Sequence, residues 1–198
     1  MQPRLATLGD IPALNALSAA CFPHSLFWSG DHAATRRWWR NAILSEHAET
    51  WVFEDDARPV AVMVALIDEA AWLAGTGPQR MTPLEKALQV IRFPLRFLRN
   101  RTYRSKPDAK TPIPHNALPL TRGTRLFIEQ FAVSPDAQGR NLGKRLVRLS
   151  LERAAHHGLA GAFYMVDRAN APMLGLMARE GFAIVQDGPR QFGLGRLC

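Results

Sequence analysis

The second half of the chain alternates strand-like and helix-like segments, and this alternation constrains the fold more than any other feature. Strand-like runs span residues 125–133, 161–166 and 182–185, and segments with helical spacing span 142–157 and 172–180. Strands separated by helices of this length form sheets in which neighbouring strands are parallel. Such sheets bind ligands at the carboxyl ends of their strands. We therefore predict an α/β fold with its functional site at these strand ends.

The first half of the chain adds further elements. Residues 4–7 predict a short strand, and a helix follows the capping residue Asp10. A second helix that faces a core is predicted within residues 31–47, because apolar residues recur there at helical spacing. Residues 51–54 and 59–67 predict a hairpin, since a polar turn separates two apolar runs.

Basic residues are concentrated in one Pro-rich segment. The net charge is +8, and residues 80–106 hold eight basic residues against one acid, Glu85, a net of +7. A protein that is basic over its whole surface is therefore excluded. The chain is 47% hydrophobic and 21% charged, which also excludes a disordered or fibrous protein. We predict a single domain over 1–198 that includes a basic, Pro-rich, partly helical insertion at about 75–121.

Several functions are open for this insertion. Residues 83–104 have the apolar spacing of an amphipathic helix that is interrupted near Pro94. Its apolar face can cover the acceptor site as a lid, while its basic face meets solvent or an anion. A packed helix with a solvated charged face and no further function is equally open. Alternatively, the helix docks onto an acidic membrane or onto a negatively charged macromolecule such as nucleic acid.

The cysteines and histidines argue against disulfides and metal sites. Cys21 and Cys198 are too few for a disulfide framework, and the histidines lack the spacing of a metal site. The chain does not open with the apolar run of a signal peptide, and the most apolar stretch, 60–74, is interrupted by Asp68 and Glu69. We therefore expect a cytoplasmic protein without a bound metal.

Residues 133–146 join a predicted strand directly to a predicted helix and have the chemistry of an anion site. A glycine-containing turn at a helix start directs unpaired backbone N–H groups and the positive end of the helix dipole at one point, as a pyrophosphate requires. Three residues separate Gly139 from Gly143, and Arg145 follows Lys144, which excludes the Walker pattern. The Gly-x-Gly-x-x-Gly pattern is absent as well. Positive charge lies nearby, on Arg140, Lys144, Arg145 and Arg148.

This segment resembles the acetyl-CoA-binding motif of the GNAT superfamily of N-acyltransferases, Gln/Arg-x-x-Gly-x-Gly/Ala, which here begins at Gln138 and ends at Gly143. Asn141 replaces the middle glycine, and asparagine tolerates a left-handed backbone better than most residues. Residues 170–182 resemble the late helix of the family, and residues 4–14 resemble its first strand and helix. The resemblance covers most of the chain except the insertion.

The resemblance implies a GNAT fold, with a central, mixed, twisted sheet flanked by helices and the insertion before the motif strand. It also implies acetyl-CoA as cosubstrate. The pantetheine arm would lie between two splayed parallel strands that end near Val133 and Val166, and the pyrophosphate would bind the amides of residues 138–144. The implied cofactor-binding residues are Phe131, Ala132, Val133, Gln138, Gly139, Arg140, Asn141, Leu142, Gly143, Lys144 and Asn170.

The implied reaction is direct attack by a primary amine of a small molecule, amino sugar or peptide on the acetyl thioester. Glu129 is the candidate base, because on a strand it would share a face with Phe131 and Val133; a solvated or salt-bridged glutamate is the alternative. Met177 occupies the position of the tyrosine that often protonates the leaving thiolate in this family. Tyr164 is a candidate replacement, and a packed aromatic residue is the alternative.

The acceptor and the partners remain open at this point. Phe27 and Trp28 lie where the family commonly shapes its acceptor pocket, and both can instead belong to the core. The sequence allows a monomer or a homodimer. A second class of function is a non-catalytic CoA-binding or anion-binding module, which the replacements at Asn141 and Met177 favour. Such a module would use the basic insertion to hold nucleic acid or an acidic membrane.

Overall fold

The computed structural model describes residues 1–25, 27–28, 33–75, 83–92, 111 and 113–198. Its strands are β1 (Pro3–Leu5), β2 (Ala48–Asp55), β3 (Arg58–Leu66), β4 (Arg125–Val133), β5 (Gly161–Asp167), β6 (Ala183–Asp187) and β7 (Gln191–Leu197). Its helices are α1 (Ile11–Cys21), α2 (Ala33–Leu44), α3 (Glu69–Gly75), α4 (Pro83–Arg92), α5 (Leu142–His156) and α6 (Ala171–Arg179). Single 3-10 turns at Leu8–Asp10 and Pro135–Ala137 precede α1 and α5.

The strands form one seven-stranded sheet in the order β1-β2-β3-β4-β5-β7-β6. β4 and β5 are parallel, while the other neighbours in the sheet are antiparallel. This confirms the predicted mixed sheet, and the predicted hairpin is formed by β2 and β3. Strand β7, which inserts between β5 and β6, was not predicted because two glycines interrupt its apolar pattern. Those glycines are required, since a Cβ atom on Gly193 would lie 2.7 Å from the Phe163 ring.

The core consists of two clusters on opposite faces of the sheet, and neighbouring residues of β3 alternate between them. Met63 belongs to the cluster under α5 and α6, whereas Val62 belongs to the cluster under α1 and α2. Trp39 and Trp72 extend the second cluster to α2 and α3. The two faces therefore differ in their helices, and a side chain on β4 or β5 meets different surroundings on each face.

A β-bulge interrupts β4 in the middle of the sheet. Val64 pairs with Gln130 and Ala65 pairs with Ile128, so Glu129 is an extra residue without an opposite number on β3. As a result, Ile128 and Phe131, three residues apart, both pack against the cluster under α5 and α6. The bulge breaks the strand alternation on which the expected shared face of Glu129, Phe131 and Val133 was based.

The two parallel strands separate towards their carboxyl ends. They pair only from Arg125 to Ile128 on β4 and from Gly161 to Tyr164 on β5, after which β5 continues to pair with β7. Beyond that point a cleft opens between the strands, as the resemblance implied.

Most of the predicted insertion lies outside the described residues. Within 75–121, the structure describes the end of α3, helix α4 and the residues from 113 onward, together with residue 111. Ile113 and Leu120 are buried, and the Ile184 N–H donates to the Pro114 carbonyl at 2.8 Å, so the chain returns along β6. In the ranges that the structure describes, no helix is long and apolar enough to cross a membrane.

Candidate active site

Two adjoining cavities occupy the cleft between the ends of β4 and β5. The loop-side cavity, about 600 Å³, lies against the loop between β4 and α5, and the strand-side cavity, about 300 Å³, lies between the separated strands. Both are lined by Phe22, Phe131, Asn170 and Met173. The cavities therefore form one continuous cleft with two chemically different ends.

The loop that leads into α5 presents three backbone donors at the loop-side cavity. Gly139 has φ +78°, and Asn141 has φ +61° in the left-handed region, so the asparagine does adopt the backbone expected at its position. The first bond of the helix runs from the Arg145 N–H to the Asn141 carbonyl at 3.0 Å. The N–H groups of Leu142, Gly143 and Lys144 precede it and lack an intrahelical acceptor. With the helix dipole, they form an anion site.

Gly143 brings α5 close to its neighbours at this point. A Cβ atom there would lie 3.2 Å from Leu176 Cδ2 on α6 and 4.0 Å from Phe131 Cζ. The glycine thus lets the first turn of α5 approach both the late helix and β4, which places the three donors at the cleft.

All of the expected cofactor-binding residues except Arg140 line the loop-side cavity. Arg140 lines a different cavity and binds Asp55 on the β2–β3 turn at 2.6 Å. Arg145 donates to the Met1 carbonyl, so it too is engaged away from the loop. The side chain that sequence reasoning missed is Arg179, which lines the loop-side cavity from the end of α6. Its only signal was a cation two residues after Met177.

Two basic side chains of α5 share one buried carboxylate. Lys144 Nζ lies 3.6 Å and Arg148 Nε 3.5 Å from the carboxylate of Glu180. Lys144 lines the loop-side cavity, while Arg148 does not. Of this pair, Lys144 is therefore the cation placed to meet an anion in the cleft.

Asn170 caps α6 at the junction of the two cavities. Its Oδ1 accepts a hydrogen bond from the Met173 N–H at 3.2 Å, as the side chain of an N-cap residue does. Because Asn170 also lines both cavities, the same residue is available to a ligand in the cleft.

Glu129, the extra residue of the bulge, lines the strand-side cavity. The side chain of Glu129 is in contact with solvent, yet the surrounding protein partly desolvates its carboxylate. This desolvation and, secondly, repulsion from Glu69 raise the pKa of Glu129 to about 7. Glu69 itself is held by Arg125 at 2.8 Å. Among the described residues none donates a hydrogen bond to Glu129. A carboxylate with a pKa near neutrality and no fixed partner can accept a proton from a ligand.

The strand-side cavity has a second carboxylate and a buried amide. Asp167, the last residue of β5, accepts a hydrogen bond from the Ala169 N–H through Oδ1 at 2.8 Å. Gln130 is 7% exposed, and its Nε2 has no acceptor within the described part of the chain. His24 and Gln191 complete the polar lining. Neither Asp167 nor Gln130 was singled out from the sequence, because nothing in the local pattern shows that the strands separate there.

Tyr164 lines the strand-side cavity, but it is almost completely buried. Its hydroxyl donates to Ser150 Oγ on α5 at 2.7 Å, and the residue is 2% exposed. Burial raises the pKa of Tyr164 well above its usual range, although the bond to Ser150 opposes the shift. The geometry favours the packing alternative over the role of proton donor. Met177, a residue of α6, is likewise fully buried.

Phe27 and Trp28 are partly buried and pack against the cluster under α1 and α2. Trp28 packs against Phe27 at 4.7 Å, Trp38 at 5.2 Å and Trp39 at 5.5 Å between ring centroids. Neither Phe27 nor Trp28 lines the two cavities of the cleft described above, whereas Phe22, which follows α1, lines both.

No group of three or more metal-binding side chains occurs among the described residues. Cys21 and Cys198 are not paired with each other. The Cys21 thiol, on the wall of the loop-side cavity, donates to the Val133 carbonyl at 3.2 Å, and burial raises the pKa of Cys21 to about 11. It is therefore a packed thiol rather than a nucleophile.

The family model described as Acetyltransferase (GNAT) family matches residues 98–182. This match includes the motif loop and the late helix, and it begins within the predicted insertion. No curated protein matches the chain.

Solved structures of N-acetyltransferases share the fold along the full length of the chain. An aminoglycoside 6'-acetyltransferase type Ii aligns with a TM-score of 0.61 at 10% identity, covering 100% of this chain and 97% of its own. The PaiA N-acetyltransferase of Thermoplasma acidophilum, solved in complex with coenzyme A, aligns with a TM-score of 0.60 at 10% identity, covering 100% and 98%. The ribosomal-protein-alanine N-acetyltransferase of Brucella melitensis aligns with a TM-score of 0.58 at 13% identity, covering 100% of both chains.

Proposed function

Since the chain carries a GNAT acetyltransferase domain at residues 98–182 and has the fold of the GNAT N-acetyltransferases, we propose that it transfers an acetyl group from acetyl-CoA to a primary amine. The observation that carries the proposal is the continuity of the cleft. Three unpaired amides and Lys144 stand at one end, and Glu129, with a pKa of about 7, stands at the other. One ligand that is anionic at one end and reactive at the other fits this arrangement.

The fit to acetyl-CoA follows from the order of these groups along the cleft. The amides of Leu142, Gly143 and Lys144 would hold the pyrophosphate. The pantetheine arm would run from there along β4, whose residues after Ile128 have no pairing with β5. Backbone groups on that side of β4 are thus available to the amides of the arm. The thioester would then reach the level of Glu129.

In this proposal Glu129 takes a proton from the incoming ammonium group, and the resulting neutral amine attacks the thioester carbonyl. The C–N bond forms, the C–S bond breaks, and CoA leaves as a thiolate that solvent protonates. Tyr164 is not assigned to this protonation, because its hydroxyl is buried and bonded to Ser150. Alignment of the two substrates and proton acceptance are the contributions that the residues of the cleft can make.

The test is thiol release from acetyl-CoA across a panel of primary amines, combined with calorimetric titration of CoA. We expect CoA to bind and at least one amine to be acetylated. Binding of CoA without turnover on any amine would favour the non-catalytic module, and absence of CoA binding would contradict both acetyl transfer and a CoA-binding module.

One observation favours a particular partner for the basic segment, and we propose an anionic membrane surface. Leu84, Leu88 and Ile91 lie on one face of α4 and are 70%, 56% and 76% exposed. An exposed apolar face beside a strongly basic segment is typical of helices that bind in the interface of anionic membranes, whereas nucleic acid offers no apolar surface to it.

This partner is tested by sedimentation with two kinds of vesicle, one that contains phosphatidylserine and one made of phosphatidylcholine alone. Leu88→Gln should weaken binding to the anionic vesicles, and the control Leu44→Gln, at an exposed leucine outside the segment, should not. Equal binding to both kinds of vesicle, or preferential binding to DNA, would exclude the proposal.

A further inference from the structure

Building on the proposed acetyl transfer, we infer that the acceptor is a small organic dication, in which one nitrogen reacts beside Glu129 and a second cationic nitrogen is held by Asp167. A short α,ω-diamine is the simplest molecule of this class. The inference rests on the charge, the geometry and the size of the strand-side cavity.

The two ends of the cleft differ in charge. The loop-side cavity is lined by the cations Lys144 and Arg179 and by no acidic residue within the described ranges. The strand-side cavity is lined by the anions Glu129 and Asp167. His24 also lines it, and no described lysine or arginine does so. An anionic acceptor would therefore meet repulsion at the strand-side cavity, and a cationic acceptor would be attracted.

The two carboxylates lie on the same face of the sheet. Asp167 alternates with Tyr164 and Val166, which pack under α5 and α6, and so lies on the opposite face. Glu129 lies on this opposite face as well, because it is close enough to Glu69 for mutual repulsion, and Glu69 belongs to α3, which packs there. Residues Phe22 and His24, which follow α1 on that face, close the cavity over both carboxylates.

The register sets their separation along the strands. Ile128 lies opposite Tyr164, so Glu129 is one residue and Asp167 three residues beyond the last paired position. The difference of two residues corresponds to about 7 Å along the strand direction. A molecule that reaches both carboxylates therefore needs a chain of several atoms between its two nitrogen atoms.

The buried amide of Gln130 is a second sign that this cavity takes a polar ligand. It is 7% exposed, lies next to Glu129 on the cavity wall, and has an Nε2 group without an acceptor among the described residues. Buried donors without acceptors are rare in proteins, and an oxygen of the bound thioester would satisfy this one. The volume of about 300 Å³ restricts the acceptor to a small molecule or to the end of a chain.

The experiment compares diaminobutane and diaminopentane with butylamine and pentylamine, in the wild type and in Asp167→Asn. The asparagine Oδ1 can still accept from the Ala169 N–H, so the turn after β5 is retained. Asp187→Asn is the matched control, because Asp187 is the last residue of β6, its side chain is 51% exposed, and it does not line the cavity. Turnover is measured by thiol release, and diamine binding is measured separately by calorimetry.

We expect the wild type to acetylate the diamines with a kcat/KM at least about 10-fold above that for the monoamines, the size of one well-placed charge interaction. Asp167→Asn should remove this preference by raising KM for the diamines, and Asp187→Asn should preserve it. Equal kcat/KM for diamines and monoamines in the wild type, or an unchanged preference in Asp167→Asn, would overturn the inference while acetyl transfer stands. Diamine binding that depends on Asp167, without turnover of either the diamines or the monoamines, would support the cation site and contradict acetyl transfer. Diamines that neither bind nor react would overturn the inference.

Discussion

Replacement of Glu129 by glutamine should lower activity and raise stability. Because the two effects are opposite, the substitution separates the catalytic role of this carboxylate from its effect on folding. The native pKa of Glu129 is raised from 4.5 to about 7, by burial first and by repulsion from Glu69 second. Between these pH values the folded protein binds more protons at Glu129 than the unfolded chain does, so the stability of the wild type falls as pH rises from 4.5 to 7. Glutamine carries no charge, so Glu129→Gln removes this loss of stability.

The magnitude follows from the shift and from the solvent in the cleft. For a fully desolvated group the shift would correspond to about 3 kcal/mol above pH 7. Because the side chain of Glu129 reaches solvent within the cleft, we expect about 1 kcal/mol. Glu129→Gln should therefore be about 1 kcal/mol more stable than the wild type at pH 8 and equally stable at pH 4.5, as measured by urea unfolding at both pH values.

The same variant should lose activity. Removal of a general base typically lowers the rate by about 100- to 10,000-fold. In the wild type, the logarithm of kcat/KM should rise more steeply with pH below about 7 than above it, and Glu129→Gln should lack this change of slope. His24, Asp167 and Glu69 are the other titratable groups around Glu129, and none of them is altered by the substitution. A variant that keeps full activity, or one that is less stable than the wild type at pH 8, would refute the reasoning.

Three further predictions concern the phosphate loop and the fold. Lys144→Gln should raise KM for acetyl-CoA about 10-fold, while Arg148→Gln, which removes the other partner of the same carboxylate, should not; equal effects would assign the loss to that carboxylate. Gly143→Ala should raise KM for acetyl-CoA several-fold with less than about 1 kcal/mol change in urea unfolding, since its Cβ would lie 3.2 Å from the flexible end of Leu176. Burial raises the pKa of Glu49, a residue of β2, but hydrogen bonds from Arg153, Trp51 and His157 outweigh it and hold the pKa at about 2. Glu49→Gln should therefore lower the free energy of unfolding by about 3 kcal/mol at pH 7, and this difference should vanish as pH falls from 4.5 to 2.

The sequence was most informative where local chemistry and fold require the same residues. Residues 133–146 predicted the strand end, the turn and the helix start, because Gly139 and Asn141 are needed for left-handed backbone and the donors follow directly. Strand β4 and the start of α5 coincide with their predicted limits. Nearly all of the residues expected at the cofactor therefore line the cleft, as a local motif would ensure.

The sequence was least informative where position depends on distant contacts. Tyr164 is a plausible proton donor by residue type, but only the packing of β5 against α5 shows that its hydroxyl meets Ser150 in the core. Trp28 packs against the two tryptophans of α2, which follow at least ten residues later in the chain, so no local pattern predicts this contact. Strand β7 was not predicted, because its glycines make room for side chains of neighbouring segments and interrupt its own apolar pattern.

The bulge at Glu129 involves both a local sequence motif and contacts between residues that are distant in the sequence. Without the extra residue, regular alternation would place Ile128, Gln130 and Ala132 on one face, and Phe131 could not pack under α5 and α6 together with Ile128. With it, Phe131 supports the helix that carries the phosphate loop, while Glu129 stays on the opposite face near Asp167. The extra residue therefore places part of the phosphate-site wall and part of the acidic acceptor-site wall next to each other along β4. Since the register of β4 against β3 is fixed only in the folded sheet, the charge difference along the cleft, and with it the expected preference for a cationic acceptor, could not be predicted from the order of the residues.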